Sequence, residues 1–96
     1  MFIIVAYDVS TETAAGRKRL RHVAKCCTVH GQRVQNSVFE CSLNAAQLVM
    51  LKAQLAEIID PEHDSIRIYN LGDWYSGKVE HMGIKDSFAP DDNLLL

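Results

Sequence analysis

Gly31-Gln32-Arg33-Val34-Gln35-Asn36-Ser37-Val38-Phe39-Glu40-Cys41-Ser42-Leu43 is the stretch that decides the fold. Val34, Val38, Phe39 and Cys41 are strand formers. Asn36-Ser37 is the one turn signal inside the stretch, so two short strands in a tight hairpin are predicted. A single bulged strand is the alternative. Upstream, Phe2 to Val9 is almost continuously apolar and β-branched, as in a central strand buried on both faces, with Asp8 interrupting its end. Between these two regions a helix is predicted from about Thr11 to Val29. Ser10 and Thr11 can cap it, and Glu12 suits its first turn. Leu20, Val23, Ala24 and Cys27 recur at i, i+3, i+4 and i+7 and form its buried stripe. Gly16 weakens its first turns, and Gly31 is its expected stop.

Downstream of the hairpin, Asn44 is a helix cap with Gln47 as its capping-box partner. Leu48, Leu51, Leu55, Ile58 and Ile59 give that helix its apolar face. Asp60-Pro61-Glu62-His63-Asp64 breaks the chain. Ser65 to Leu71 is the fourth strand, with Ile66 and Ile68 on one face and Tyr69 and Leu71 on the other. The order is β-α-β-β-α-β, an α+β, ferredoxin-like sandwich complete by Leu71. Val79 to Ile84 reads as an extra C-terminal strand, and Phe88 to Leu96 ends on three leucines. One domain is expected over residues 1–96. Its core is 1–71, and residues 72–96 are left for contacts with a second copy or another partner.

The 96 residues are 48% hydrophobic and 23% charged, which excludes a wholly disordered or low-complexity chain. No apolar run approaches the ~18 residues of a membrane span. Met1 to Ala6 runs into Asp8 without a cleavage site, so neither a signal peptide nor an anchor is expected. Cys26, Cys27 and Cys41 contain no CxxC pair, and the cytoplasm is the expected compartment. The net charge of −2 hides an asymmetry. Residues 1–43 carry six basic and three acidic residues, and residues 44–96 carry four basic and nine acidic. Six of the ten cations lie between Arg17 and Arg33, and such a cluster can form a phosphate-binding face. A solvated helix face is the plainer reading of Arg17, Lys18, Arg19, Arg21 and Lys25. His22, His30, His63 and His81 have no metal-ligand spacing and are expected at the surface.

Val5-Ala6-Tyr7-Asp8-Val9, the basic first helix and Gly31 to Glu40, taken in order, resemble CRISPR-associated protein two. This is the small metal-dependent nuclease family that accompanies the CRISPR integrase. The specific part is Arg33-Val34-Gln35-Asn36-Ser37-Val38-Phe39-Glu40. The tail from Val79 resembles the branch that serves type I-C systems.

The resemblance implies a homodimer in which Asp8 ends the first strand and faces its partner's copy. It implies catalytic roles for Asp8 and Tyr7, and nucleic-acid contacts for Arg17, Arg19, Arg21, Arg33 and Phe39. One carboxylate is a poor metal site, but two copies of Asp8 across a twofold axis would bind Mg²⁺ with waters. The alternative is that Asp8 only accepts N–H bonds at the start of the helix. Phe39 and Tyr7 also read as core residues, and Ser37 as a turn residue.

The expected function is CRISPR spacer acquisition. In one reading the protein is a Mg²⁺-dependent endonuclease of RNA or DNA that partners the integrase. In the other it is a non-catalytic dimeric scaffold that bridges integrase dimers and binds duplex backbone. A small-molecule regulatory domain would want a Gly-rich loop where Ser10-Thr11-Glu12 stands. An RNA-recognition module would want paired stacking aromatics on the central strands.

Overall fold

The structure, a computed structural model, describes residues 1–73 and 76–84. Its elements are β1 (Phe2–Asp8), α1 (Ala14–Thr28), β2 (Gly31–Gln35), β3 (Val38–Ser42), α2 (Ala45–Ile58) and β4 (Ser65–Asn70). A short 3-10 turn, Ser76–Lys78, follows. The strands form one antiparallel sheet in the order β2-β3-β1-β4, the ferredoxin-like arrangement expected from the sequence.

Strand alternation separates two faces of this sheet. Ile3, Val5 and Tyr7 of β1 pack with Phe39 and Cys41 of β3 against Leu20, Val23 and Cys27 of α1 and Leu51 and Leu55 of α2. Ile66 and Ile68 of β4 border this core. Ile4, Ala6 and Asp8 point the other way. Their register partners are Glu40 and Tyr69 for Ile4, Val38 and Arg67 for Ala6, and Ser65 for Asp8. Both helices lie on the first face. The second is therefore open, with Ile4, Ala6, Val38 and Glu40 half-buried and Asp8 exposed. Among the described residues the apolar run of β1 is thus covered by helices on one side only.

The hairpin forms at Asn36-Ser37 as two strands, with a register irregularity between Arg33 and Gln35. Asn44 and Gln47 make the expected capping box: Asn44 Oδ1 accepts from Gln47 N at 2.8 Å, and Gln47 Oε1 from Asn44 N at 2.9 Å. Helix α1 starts later than predicted. Its cap is Thr13, whose Oγ1 accepts from Gly16 N at 3.0 Å, and not Ser10 or Thr11. Gly16 explains the shift. A Cβ there would lie 1.8 Å from the Ser10 carbonyl oxygen, so residues 9–13 fold back on the helix start, using space only glycine leaves. Gly31 is not the helix stop, because α1 ends at Thr28 with Val29 as its cap. Gly31 instead opens β2, where a Cβ would sit 2.0 Å from the Glu40 carbonyl oxygen.

The predicted strand over Val79–Ile84 is not formed within the single chain: these residues are irregular, and Met82 and Ile84 are 93% and 97% exposed. A strand needs a ladder partner, and none is supplied to this segment by the described residues. Phe88 to Leu96 and Trp74-Tyr75 lie outside the described residues. The three cysteines are free. Cys27 and Cys41 are core residues, and the Cys41 thiol donates to the Cys27 carbonyl at 3.4 Å. Among the described residues no helix is long and apolar enough to cross a membrane.

Candidate functional site

Asp8 ends β1 on the open face. It is exposed and is the last residue of the ladder to β4, opposite Ser65. The role of an N–H acceptor at the helix start falls to Thr13 and not to Asp8. Its carboxylate is an accessible oxygen donor of the kind Mg²⁺ prefers, so its chemistry fits that ion. The described residues of one chain do not complete such a site. Among the described residues no three His, Cys, Asp or Glu side chains are placed to hold a metal. Glu40 shares the open face, and burial raises its carboxyl pKa, opposed by a hydrogen bond with Gln32.

Tyr7, the neighbour of Asp8, points to the helix side and is 2% exposed. Its hydroxyl donates to Asp64 Oδ2. Burial and that hydrogen bond push its pKa up to about 12, so at neutral pH the phenol keeps its proton. Arg19 also turns inward. Its Nε donates to Asp64 Oδ2 at 2.8 Å and its Nη2 to Oδ1 at 3.1 Å, a bidentate pair. Asp60 N donates to the same Oδ2 at 3.0 Å. The Asp64 side chain has no exposed surface, and that of Arg19 is 22% exposed. Burial alone would raise the Asp64 pKa. The hydrogen bonds from Arg19, Tyr7 and the Asp60 amide outweigh it and hold the group down to about 2. The bond to Asp64 raises the Arg19 pKa in turn.

Sequence reasoning missed Asp64, which read only as part of a chain break. A signal was present in the topology: β4 runs antiparallel to β1, so the residues that open β4 must meet those that end β1.

The other basic residues divide in two. Arg17, Lys18, Arg21 and Lys25 are exposed on α1, and Arg17 Nη1 donates to the Thr11 carbonyl at 2.9 Å. Arg33 lies on β2, donates from Nε to the Asn36 carbonyl at 2.8 Å and sits 5.6 Å above the Phe39 ring centre. Across a groove of about 480 Å³, Arg21, Lys25 and Thr28 of α1 face Gln32 and Arg33 of β2. Lys25 lies three turns along α1 from Ala14, about 16 Å from the helix start that follows Asp8. Phe39, placed by the resemblance at the nucleic-acid face, is 0% exposed: it is a core residue that supports Arg33 from below and offers no ring surface to a base.

Fold and site together define a small ferredoxin-like α+β domain with a single exposed acid at the end of its central strand, beside a basic helix. The family described as CRISPR associated protein Cas2 matches residues 1–79, and the chain belongs to that family. It is 53% identical over 95 residues to the CRISPR-associated endonuclease Cas2 of Halalkalibacterium halodurans, covering 99% of each chain. To the CRISPR-associated endoribonuclease Cas2 of Chlorobaculum tepidum it is 50% identical over 96 residues, covering 100% of each. Among solved structures it is similar to Streptococcus pyogenes Cas2 at pH 6.5. The TM-score is 0.81 and the identity 59%, over 86% of this chain and 100% of that one.

Proposed function

We propose that two copies of this chain stack their open sheet faces and so bring two Asp8 carboxylates together as one Mg²⁺ site, and that the dimer is an endonuclease of RNA or DNA serving CRISPR spacer acquisition in the cytoplasm. The observation that carries this reading is the open face itself. Ile4, Ala6 and Val38 surround the approach to Asp8 without a helix over them, and Asp8 stands exposed at its end. Stacking a second copy there buries apolar surface at roughly 25 cal/mol per Å² and supplies the second carboxylate. The names of the relatives as endonuclease and endoribonuclease support the reaction class. When bound, the ion would activate water and neutralise charge on the phosphodiester. The chain's own residues do the rest. Asp8 holds the ion, and Arg17, on the first turn after the 9–13 loop, attracts the phosphate backbone. Cleavage of RNA and of duplex DNA in Mg²⁺, compared between wild type and a folded Asp8→Ala dimer, tests this reading. Equal rates would end it.

A second reading is favoured by the groove between α1 and β2. Its cations stand on α1 and β2 and not on the β1–β4 rung that carries Asp8, as suits a scaffold that tracks duplex backbone while the integrase cuts and joins. Exposed Met82 and Ile84 suit a tail that adds to the edge of a partner's sheet.

A further inference from the structure

The Asp8↔Ser65 pair is the last rung of the β1–β4 ladder, and Asp8 has no register partner on β3, toward which the last backbone bond is the Tyr7 amide donating to the Ser37 carbonyl at 2.9 Å. An exposed terminal rung frays unless something fixes it. The residues just before this rung are Tyr7 and Asp64, and they are joined on the other side of the sheet. One buried carboxylate gathers four donors from two elements and a turn: the Tyr7 hydroxyl of β1, two guanidinium N–H groups of Arg19 on α1, and the Asp60 amide in the turn that follows α2. The Asp64 amide closes the same turn on the Asp60 carbonyl at 2.7 Å.

We propose that Asp64 is the positioning residue of the Asp8 site. It clamps Tyr7 and Arg19 to the 60–64 turn and so fixes where the end of β1 presents Asp8. This rests on the reading of Asp8 as a metal ligand given above. Tyr7 and Arg19 then act through Asp64 and touch neither ion nor substrate. The Tyr7 side chain lies on the face opposite Asp8, and both oxygens of Asp64 are occupied, which leaves that carboxylate no role as a second ligand. A site shared by two chains needs such a device. Each carboxylate must sit within about 0.5 Å of its working position, and neither chain can correct the other.

The test uses full-length dimeric protein and Mn²⁺ as the probe. Paramagnetic broadening of the Asp8 and Ser65 amide signals reports binding, and kcat and KM for cleavage are measured alongside. Asp64→Asn weakens the clamp. Arg19→Lys keeps the charge but loses the bidentate pair, and it serves if Asp64→Asn does not fold. Each folded variant is expected to need on the order of tenfold more Mn²⁺, the scale at which supporting residues act on a metal. kcat falls with KM unchanged, and the double variant is no worse than the weaker single one. Wild-type Mn²⁺ affinity in a folded variant, beside an Asp8→Ala protein that no longer responds, overturns the role of Asp64 alone. An Asp8→Ala protein that still binds Mn²⁺ like wild type overturns the metal reading and this inference with it.

Discussion

The Arg19 guanidinium holds both oxygens of Asp64, at 2.8 and 3.1 Å, and this pair removes Arg19 from the basic face of its own helix. Arg17 and Arg21, two residues to either side, stay exposed. Three arginines that look equivalent in sequence therefore stand in different surroundings. The bidentate pair ties helix to turn, and the exposed pair remains available to phosphate.

Salt dependence separates these roles. Arg17→Ala and Arg21→Ala are each expected to weaken binding to all duplex sequences alike. Each should make the slope of log affinity against log salt shallower by about 0.9. Arg19→Ala is expected to leave the slope unchanged while lowering the unfolding midpoint. Fluorescence anisotropy over a salt series measures all three, and a shallower slope for Arg19→Ala would mean that it contacts phosphate.

Phe39 is fully buried beneath Arg33, so Phe39→Ala should act on stability first. A loss of about 3–5 kcal/mol is expected from the cavity and the lost burial. Phe39→Leu fills most of that space and should retain nucleic-acid binding with an unchanged salt slope. Urea unfolding and anisotropy check the two halves of this prediction.

The Asp64 carboxyl is held down to about 2, against an ordinary value near 3.8. A depressed carboxyl stabilises the fold above its unfolded pKa. That contribution is present at pH 5–7, declines as pH falls below about 4, and is gone below about 2. Asp64→Asn should therefore flatten the acid limb of stability against pH. Urea midpoints between pH 2 and pH 6 read this directly, and parallel limbs for the two proteins would refute it.

Much of the fold was legible because its punctuation is local. Asn36-Ser37 and the Asn44–Gln47 box set their boundaries with side chains at hand, and the Leu20-Val23-Ala24-Cys27 stripe follows helical period. The start of α1 was not legible, because the close approach of Ser10 to Gly16 that moves the cap to Thr13 depends on loop packing. At the site, the place of Asp8 followed from the strand pattern and the resemblance. The capture of Tyr7 and Arg19 by Asp64 did not, since their partner is 57 and 45 residues away and no spacing announces it.

The tail offers a further prediction. Met82 and Ile84 are almost fully exposed, and the β-α-β-β-α-β set is complete without them. Truncation after Pro90 should keep a folded dimer while weakening integrase association, and deletion from Val79 should also loosen the dimer. Sedimentation and pull-down measure the two effects. Truncated chains that dimerise and bind integrase like the full chain would show that the segment serves neither contact.

Mixing protomers tests the central claim most directly. Wild-type and Asp8→Ala chains are co-refolded in graded proportions, so that the dimers assort at random, and Mg²⁺-dependent cleavage is measured in each mixture. If one site needs Asp8 from both chains, activity falls as the square of the wild-type fraction. A linear fall would mean that each chain acts on its own, and a fall shallower than linear that one Asp8 suffices in a dimer; either would contradict a site that needs both carboxylates across the twofold axis.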